Sequence, residues 1–221
     1  MDRLEPTVFI IDGDANDRQA LHRLMESVRL RVEGYSTTDS FLKGYDRHRP
    51  GCLILEVRIK SRSGVDLLRR LRGEGICIPA IFLTRYGDIP LAVQAMREGA
   101  FDFLEKPAHE QYLLDQIHAA IVQDARSRRE EMERREIVKR LETLSEREKD
   151  ILAEIVAGKT NKAMASQFGV AVKTVEFHRA NIMKKIGVGN VAELVCRLLR
   201  GGWDLCESRP TGDGRRARSR G

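Results

Sequence analysis

Residues 52–59 read CLILEVRI. Four apolar residues, Cys52 to Leu55, run without polar alternation into an acid, Glu56. Such a run suits a strand buried on both faces, as in a parallel sheet. A carboxylate at the exit of that strand stands where open α/β sheets place their chemistry. The same pattern recurs on either side. Apolar runs occupy 8–11 and 80–83, with shorter strand candidates at 31–35 and 101–104. Between them, residues 14–27 carry Leu21, Leu24 and Met25 at helical spacing, continued by Val28. Further helices are predicted near 39–45, 64–72 and 89–97, and from His109 onward. Five βα units in this order predict a parallel sheet with helices on both faces.

The whole chain has 221 residues, 42% hydrophobic and 33% charged, enough for one large domain or two small ones. No apolar run approaches the roughly 18 residues of a membrane span. The opening MDRLEPTVFIID enters a strand directly and shows no signal-peptide pattern, so the expectation is a cytoplasmic protein with no membrane partner. Cys52, Cys77, Cys196 and Cys206 are scattered, with no C-x-x-C pair, which argues against a zinc site or disulfide framework. Cys52 and Cys77 are expected to fill core space. A net charge of +6 suits nucleic-acid binding without fixing a fold.

Residues 122–142 are dense in both charge signs and lack Gly and Pro, which predicts a charged helical linker between a domain at 6–121 and a second at 143–206. From Leu144 the pattern is wholly helical. Ser145 and Glu148 form a capping-box signature, Thr160 precedes NKAMASQF, Gly169 ends it, and a basic helix runs from about Lys173 to Ile186. Asn190 and Glu193 suggest a reciprocal cap for one more helix. Two short helices, a tight turn and a basic helix read as helix-turn-helix. Residues 207–221, with Gly, Pro and Arg but almost nothing apolar, are expected to be a disordered basic tail.

Polar residues collect at the strand exits of the first half. Asp12 and Asp14 follow the first strand, Glu56 the third, Thr84 the fourth, and Lys106 closes the fifth in L-E-K-P. Acids beside a lysine and a hydroxyl are equipment for a divalent ion and a phosphoryl group. In order, residues 8–14, 50–57, 81–87 and 99–107 resemble the receiver domain of two-component response regulators. The second half resembles their LuxR-type helix-turn-helix, and the whole is similar to the NarL/FixJ family over about 6–202. The resemblance implies a flavodoxin-like, five-stranded α/β receiver followed by an all-α DNA-binding domain. It implies an acceptor position at Glu56, a switch pair at Thr84 and Phe103, and a phosphate-contacting Lys106. It further implies double-stranded DNA, a histidine kinase or partner regulator and RNA polymerase as partners, with homodimerisation through 88–104, and no enzymatic activity.

Three departures stand out. Glu56 replaces the family's phosphoaccepting Asp, Gly13 replaces one acid of its metal pair, and 58–64 lacks the usual loop proline. Glutamate is longer by one methylene, and phosphoryl transfer depends on positioning and charge neutralisation. Conventional aspartyl phosphorylation is therefore expected to be lost, no cofactor to be required, and any magnesium site at Asp12 and Asp14 to be weak. Glu56 either imitates the phosphorylated state or simply partners Lys106. Two alternatives are a regulator still switched by a kinase or small phosphodonor, and a heterodimerising interaction protein. In the basic helix, Val175, Ile182, Met183 and Ile186 should pack inward. Lys173, Thr174, Glu176, Phe177, His178, Arg179 and Lys184, with Asn161 and Lys162 on the preceding helix, are the candidate DNA contacts.

Overall fold

The computed structural model describes residues 5–60 and 62–201. It divides into two compact units, with the boundary between Arg128 and Arg129. The expected tail at 207–221 lies outside the described residues, as do Cys206 and the end of the second expected domain.

The first unit opens with β1 (Thr7–Ile11), α1 (Ala15–Ser27), β2 (Arg31–Tyr35) and α2 (Thr38–Gly44). It continues through β3 (Gly51–Leu55), a short antiparallel pair β4 (Arg58–Ile59) and β5 (Arg62–Ser63), and α3 (Gly64–Gly73). Then come β6 (Ala80–Thr84), α4 (Ile89–Arg97), β7 (Asp102–Glu105) and the start of α5 (Glu110–Glu142). The main sheet has the order β2-β1-β3-β6-β7, every pair parallel. That is the flavodoxin-like order, whose ligand crevice lies beyond the carboxyl ends of β1 and β3.

The period of two along each strand sorts side chains between two cores. Phe9, Ile11, Leu53, Leu55 and Phe82 face Phe41 of α2, Val65 and Leu68 of α3 and Ala95 of α4. Val8, Ile10, Cys52, Ile54 and Ile81 face Leu21 and Met25 of α1 and Leu113 and Ile117 of α5. Burial, and then the nearby Asp124 carboxylate, push the Cys52 thiol up to about 12, so it is an inert core group. Cys77, expected in the core, is exposed: its neighbours Ile76 and Ile78 pack inward instead. Gly64 is required where it stands. A Cβ there would collide with the backbone oxygen of Glu56, whose segment the Gly64 N–H also grips through Val57 O at 2.7 Å.

The charged stretch after residue 121 is helical, as its charge pattern predicts. It is the continuation of α5, one helix of 33 residues. Arg128–Asp124, Arg129–Glu133, Arg135–Glu131 and Arg140–Glu136 are all four apart and paired. Each exposed pair contributes only about 0.2–0.5 kcal/mol. Together they make a stretch with little apolar face helical nonetheless.

The second unit comprises the end of α5, α6 (Glu146–Val156), α7 (Asn161–Phe168), α8 (Val172–Ile186) and α9 (Val191–Arg200). The Ser145–Glu148 capping box forms. Thr160 caps α7, and Gly169, at φ 66°, turns the chain out of it in the left-handed region that glycine tolerates. At α9 the cap is not reciprocal. Asn190 accepts from Glu193 N, but Glu193 Oε2 accepts from Gly189 N rather than from Asn190 N. Ile151, Leu152, Met164, Val175, Ile182, Ile186, Leu194 and Leu198 form the core. Buried Glu154 receives Lys159 at 2.7 Å and Gln167 at 2.5 Å, which fastens the α6–α7 turn to the end of α7. Among the described residues, no helix is long and apolar enough to cross a membrane.

Candidate functional site

Strand register assembles the pocket of the first unit. Ile11 pairs with Leu55, so the next residues, Asp12 and Glu56, emerge side by side. Thr84 pairs with Glu105, and Lys106 N donates to Thr84 O at 2.8 Å, which brings the lysine to the same edge. Lys106 Nζ reaches Asp12 Oδ2 at 2.5 Å, Asp17 Oδ2 at 2.9 Å and Glu56 Oε2 at 3.2 Å. The other Glu56 oxygen, Oε1, accepts from Val57 N at 2.7 Å, and Glu56 is 7% exposed. Asp17 is held a second time by Arg85 at 2.6 Å.

Two of the expected residues stand differently. Asp14 does not join the pocket; its Oδ1 accepts from Asn16 N and Asp17 N and caps α1. A carboxylate there completes orphan helix donors, which a pocket position would leave unmet. Asp17 takes the vacated role. The sequence held a signal for it: Asp17, Leu21 and Met25 recur every four residues, so the acid heads the buried stripe of α1. Thr84 is fully buried, and its hydroxyl oxygen accepts from Tyr86 N at 3.1 Å. Phe103 is half-buried and stacks on Phe82 at 6.0 Å.

Burial disfavours the Lys106 charge, but hydrogen bonds to Asp12 and Asp17 and the field of Glu56 outweigh it and hold the ammonium above the ordinary lysine range. Burial likewise raises the Asp17 carboxyl, but the bonds from Lys106 and Arg85 prevail and lower it. The signs follow by linkage. The Lys106 contribution is complete below the unfolded lysine value and is lost as pH rises through the folded one. The Asp17 contribution is present above the unfolded carboxylate value and is lost as pH falls through the folded one.

A divalent ion such as magnesium needs open oxygen ligands. Here Asp12, Asp17 and Glu56 share one ammonium, Asp14 is committed to a helix cap, and position 13 is a glycine without a side-chain oxygen. The donor set fits a lysine and offers no free carboxylate pair to a metal.

In the second unit, Glu148 Oε2 accepts from Ser145 N at 2.8 Å and pairs with Lys185 at 2.6 Å, fixing α8 against the N-terminus of α6. The Lys185 bond, then the Ser145 backbone bond, hold the Glu148 carboxyl below the usual carboxylate range. Val175, Ile182 and Ile186 are fully buried and set the rotation of α8, with Met183 packed beside them. Lys173, Glu176, Phe177, Ala180 and Lys184 are thereby exposed. Thr174 and His178 lie on one shoulder of that face, and Arg179 on the other, all half-buried. Asn161 and Lys162 form the first turn of α7.

Residues 8–118 match the response regulator receiver domain, and residues 142–198 match the bacterial regulatory proteins of the luxR family. The chain is 37% identical over 195 residues to the transcriptional regulatory protein TdiR of Thauera aromatica, covering 88% of this chain and 86% of that one. It is 34% identical over 195 residues to the transcriptional regulatory protein FixJ of Bradyrhizobium diazoefficiens, covering 88% and 95%. The chain is a response regulator of the NarL/FixJ family. Among solved structures, the response regulator StyR superposes with a TM-score of 0.79 at 36% identity, over 89% of this chain and 99% of that one.

For this response regulator, the receiver domain implies a kinase as the family's signalling partner, and the LuxR-type helix-turn-helix implies DNA. The receiver carries one further surface feature. Ile89, Val93 and Met96, at positions i, i+4 and i+7 of α4, are 81%, 44% and 48% exposed. The sequence marked this segment only through the family resemblance.

Proposed function

We propose that this response regulator binds operator DNA as a homodimer whose receiver is not switched by conventional aspartyl phosphorylation. One observation carries the reading: both Glu56 oxygens are engaged, one by its own chain at Val57 N and one by Lys106. A phosphoacceptor must present an oxygen in line with the donor. This carboxylate is longer than aspartate, folded back and covered. Lys106 neutralises the pocket from within, the task that a metal ion performs in phosphoryl transfer. The exposed stripe on α4 supports pairing of two receivers, because apolar residues at helical spacing favour a self-complementary contact. Two copies of α8 then meet two half-sites.

The untreated chain should therefore retain duplex DNA with a steep salt dependence and no requirement for a phosphodonor. Lys173→Ala and Lys184→Ala should each weaken binding across sequences and reduce the salt slope by about 1. Filter retention between 50 and 200 mM salt measures both. Retention that appears only after treatment with a phosphodonor would defeat the proposal.

A further inference from the structure

Among the described residues, two buried side-chain polar atoms have no hydrogen-bond partner, the hydroxyls of Thr38 and Tyr45. Thr38, 3% exposed, stands on the wall of a cleft of about 340 Å³ between α2, β5 and α3. That volume falls within the range of small-molecule sites, roughly 300–1,000 Å³. The fold gives the Thr38 hydroxyl no task. Thr37, not Thr38, caps α2, in a reciprocal box with Ser40. Valine has the same shape and would fill the position without an unpaired buried donor, which costs stability. Threonine on a helix uses two χ1 positions, so the hydroxyl can turn toward the cleft without moving the backbone. A buried, unpaired donor at a cleft wall points to a group that enters the cleft and accepts from it.

The rest of the lining names that group. Arg62 of β5 and Arg70 of α3 bring two guanidinium groups, whose planar forks match an oxyanion. They pair with exposed acids, Asp39 at 3.1 Å and Glu74 at 2.9 Å. Exposed pairs of this kind contribute little, so either arginine can turn to a ligand. Ser63 Oγ accepts from Val65 N at 3.1 Å as the cap of α3, which leaves its own proton to donate. Leu42 and Leu67 give the cleft an apolar side. Asp66 also lines it and is held by Arg69 at 2.8 Å. Two cations against one acid suit a singly charged anion better than a dianion. We infer that this cleft binds a small organic monocarboxylate. Arg62, Arg70, Thr38 and Ser63 donate to its oxygens, and its hydrocarbon lies on Leu42 and Leu67. The cleft shares no residue with the Glu56 pocket, so the inference stands apart from the reading of that pocket.

The test titrates the isotope-labelled full chain at fixed salt with hexanoate, hexanamide and hexyl phosphate, and follows backbone amide shifts. Hexanoate should shift amides of α2 and of the β5–α3 junction saturably, with a dissociation constant of about 1 mM or below. Hexanamide, which lacks the charge, and hexyl phosphate, which carries more of it, should both bind more weakly. Arg62→Ala combined with Arg70→Ala should abolish the saturable shifts. Thr38→Val keeps the shape and removes the hydroxyl. It should bind hexanoate about ten-fold more weakly, the size of one charge-assisted hydrogen bond. Without ligand it should unfold no earlier than the natural chain, because it deletes an unpaired donor. An earlier thermal midpoint would assign the hydroxyl to the fold and overturn the inference, as would equal hexanoate binding by Thr38→Val. Equal binding of hexanamide would reduce the cleft to an apolar patch, and tighter binding of hexyl phosphate would overturn the carboxylate assignment. Shifts that do not saturate, or that spread beyond the cleft, would overturn the site itself.

Discussion

Lys106→Met is expected to destabilise the receiver unit by about 3–5 kcal/mol at neutral pH, the usual cost of removing one partner from a buried charge cluster. The lysine is the shared counter-charge of Asp12, Asp17 and Glu56, each largely shielded from water. Methionine keeps the length and apolar volume of the side chain, so the loss reports charge rather than packing. The deficit should shrink on acidification, when protonated carboxylates no longer repel one another. Denaturant midpoints of both proteins at neutral and mildly acidic pH measure this. A neutral-pH loss below about 1 kcal/mol would mean that the pocket is solvated, and the internal-cation account would fail.

The second large effect runs the other way. Glu56→Asp combined with Gly13→Asp should let acetyl phosphate label the receiver, where the proposed function predicts that the natural chain stays unlabelled. A Cβ at position 13 meets only Lys60 N at 3.6 Å and Lys60 Cγ at 3.7 Å, ordinary contacts, so the new side chain fits. The shorter acid at 56 withdraws by about 1.5 Å, one carbon–carbon bond, from Lys106 and Val57. The new acid at 13 supplies an oxygen for magnesium. A displacement of about 1 Å changes reaction rates about 100-fold where positioning dominates. Labelling should therefore rise at least that far, read by intact mass after incubation with acetyl phosphate and magnesium. No labelling of the double variant would place the defect elsewhere in the pocket.

What the sequence revealed depended on how much chain each feature used. The strands β1, β3 and β6 are apolar runs buried on both faces, and their exits named Asp12, Glu56 and Thr84. Strands β4 and β5 span two residues each, too short for any period to register. Asp17 was hidden by its position in the first turn of a helix, where an acid is explained by the helix dipole alone. Only its alignment with Leu21 and Met25 separates the two explanations. Asp14 was misplaced for the converse reason: an acid two residues past Asp12 looks like a metal ligand, but the helix that starts at Ala15 claims its oxygen first. On α8 the inward residues followed directly from the period, and with them the exposed face that carries Phe177.

The central claim is that a fixed carboxylate and an internal cation have replaced a phosphoryl switch. Its most direct test takes the natural chain, incubates it with acetyl phosphate and magnesium, and measures intact mass and duplex-DNA affinity before and after. The account predicts an unchanged mass and an unchanged affinity. A single phosphoryl adduct accompanied by tighter DNA binding would contradict it.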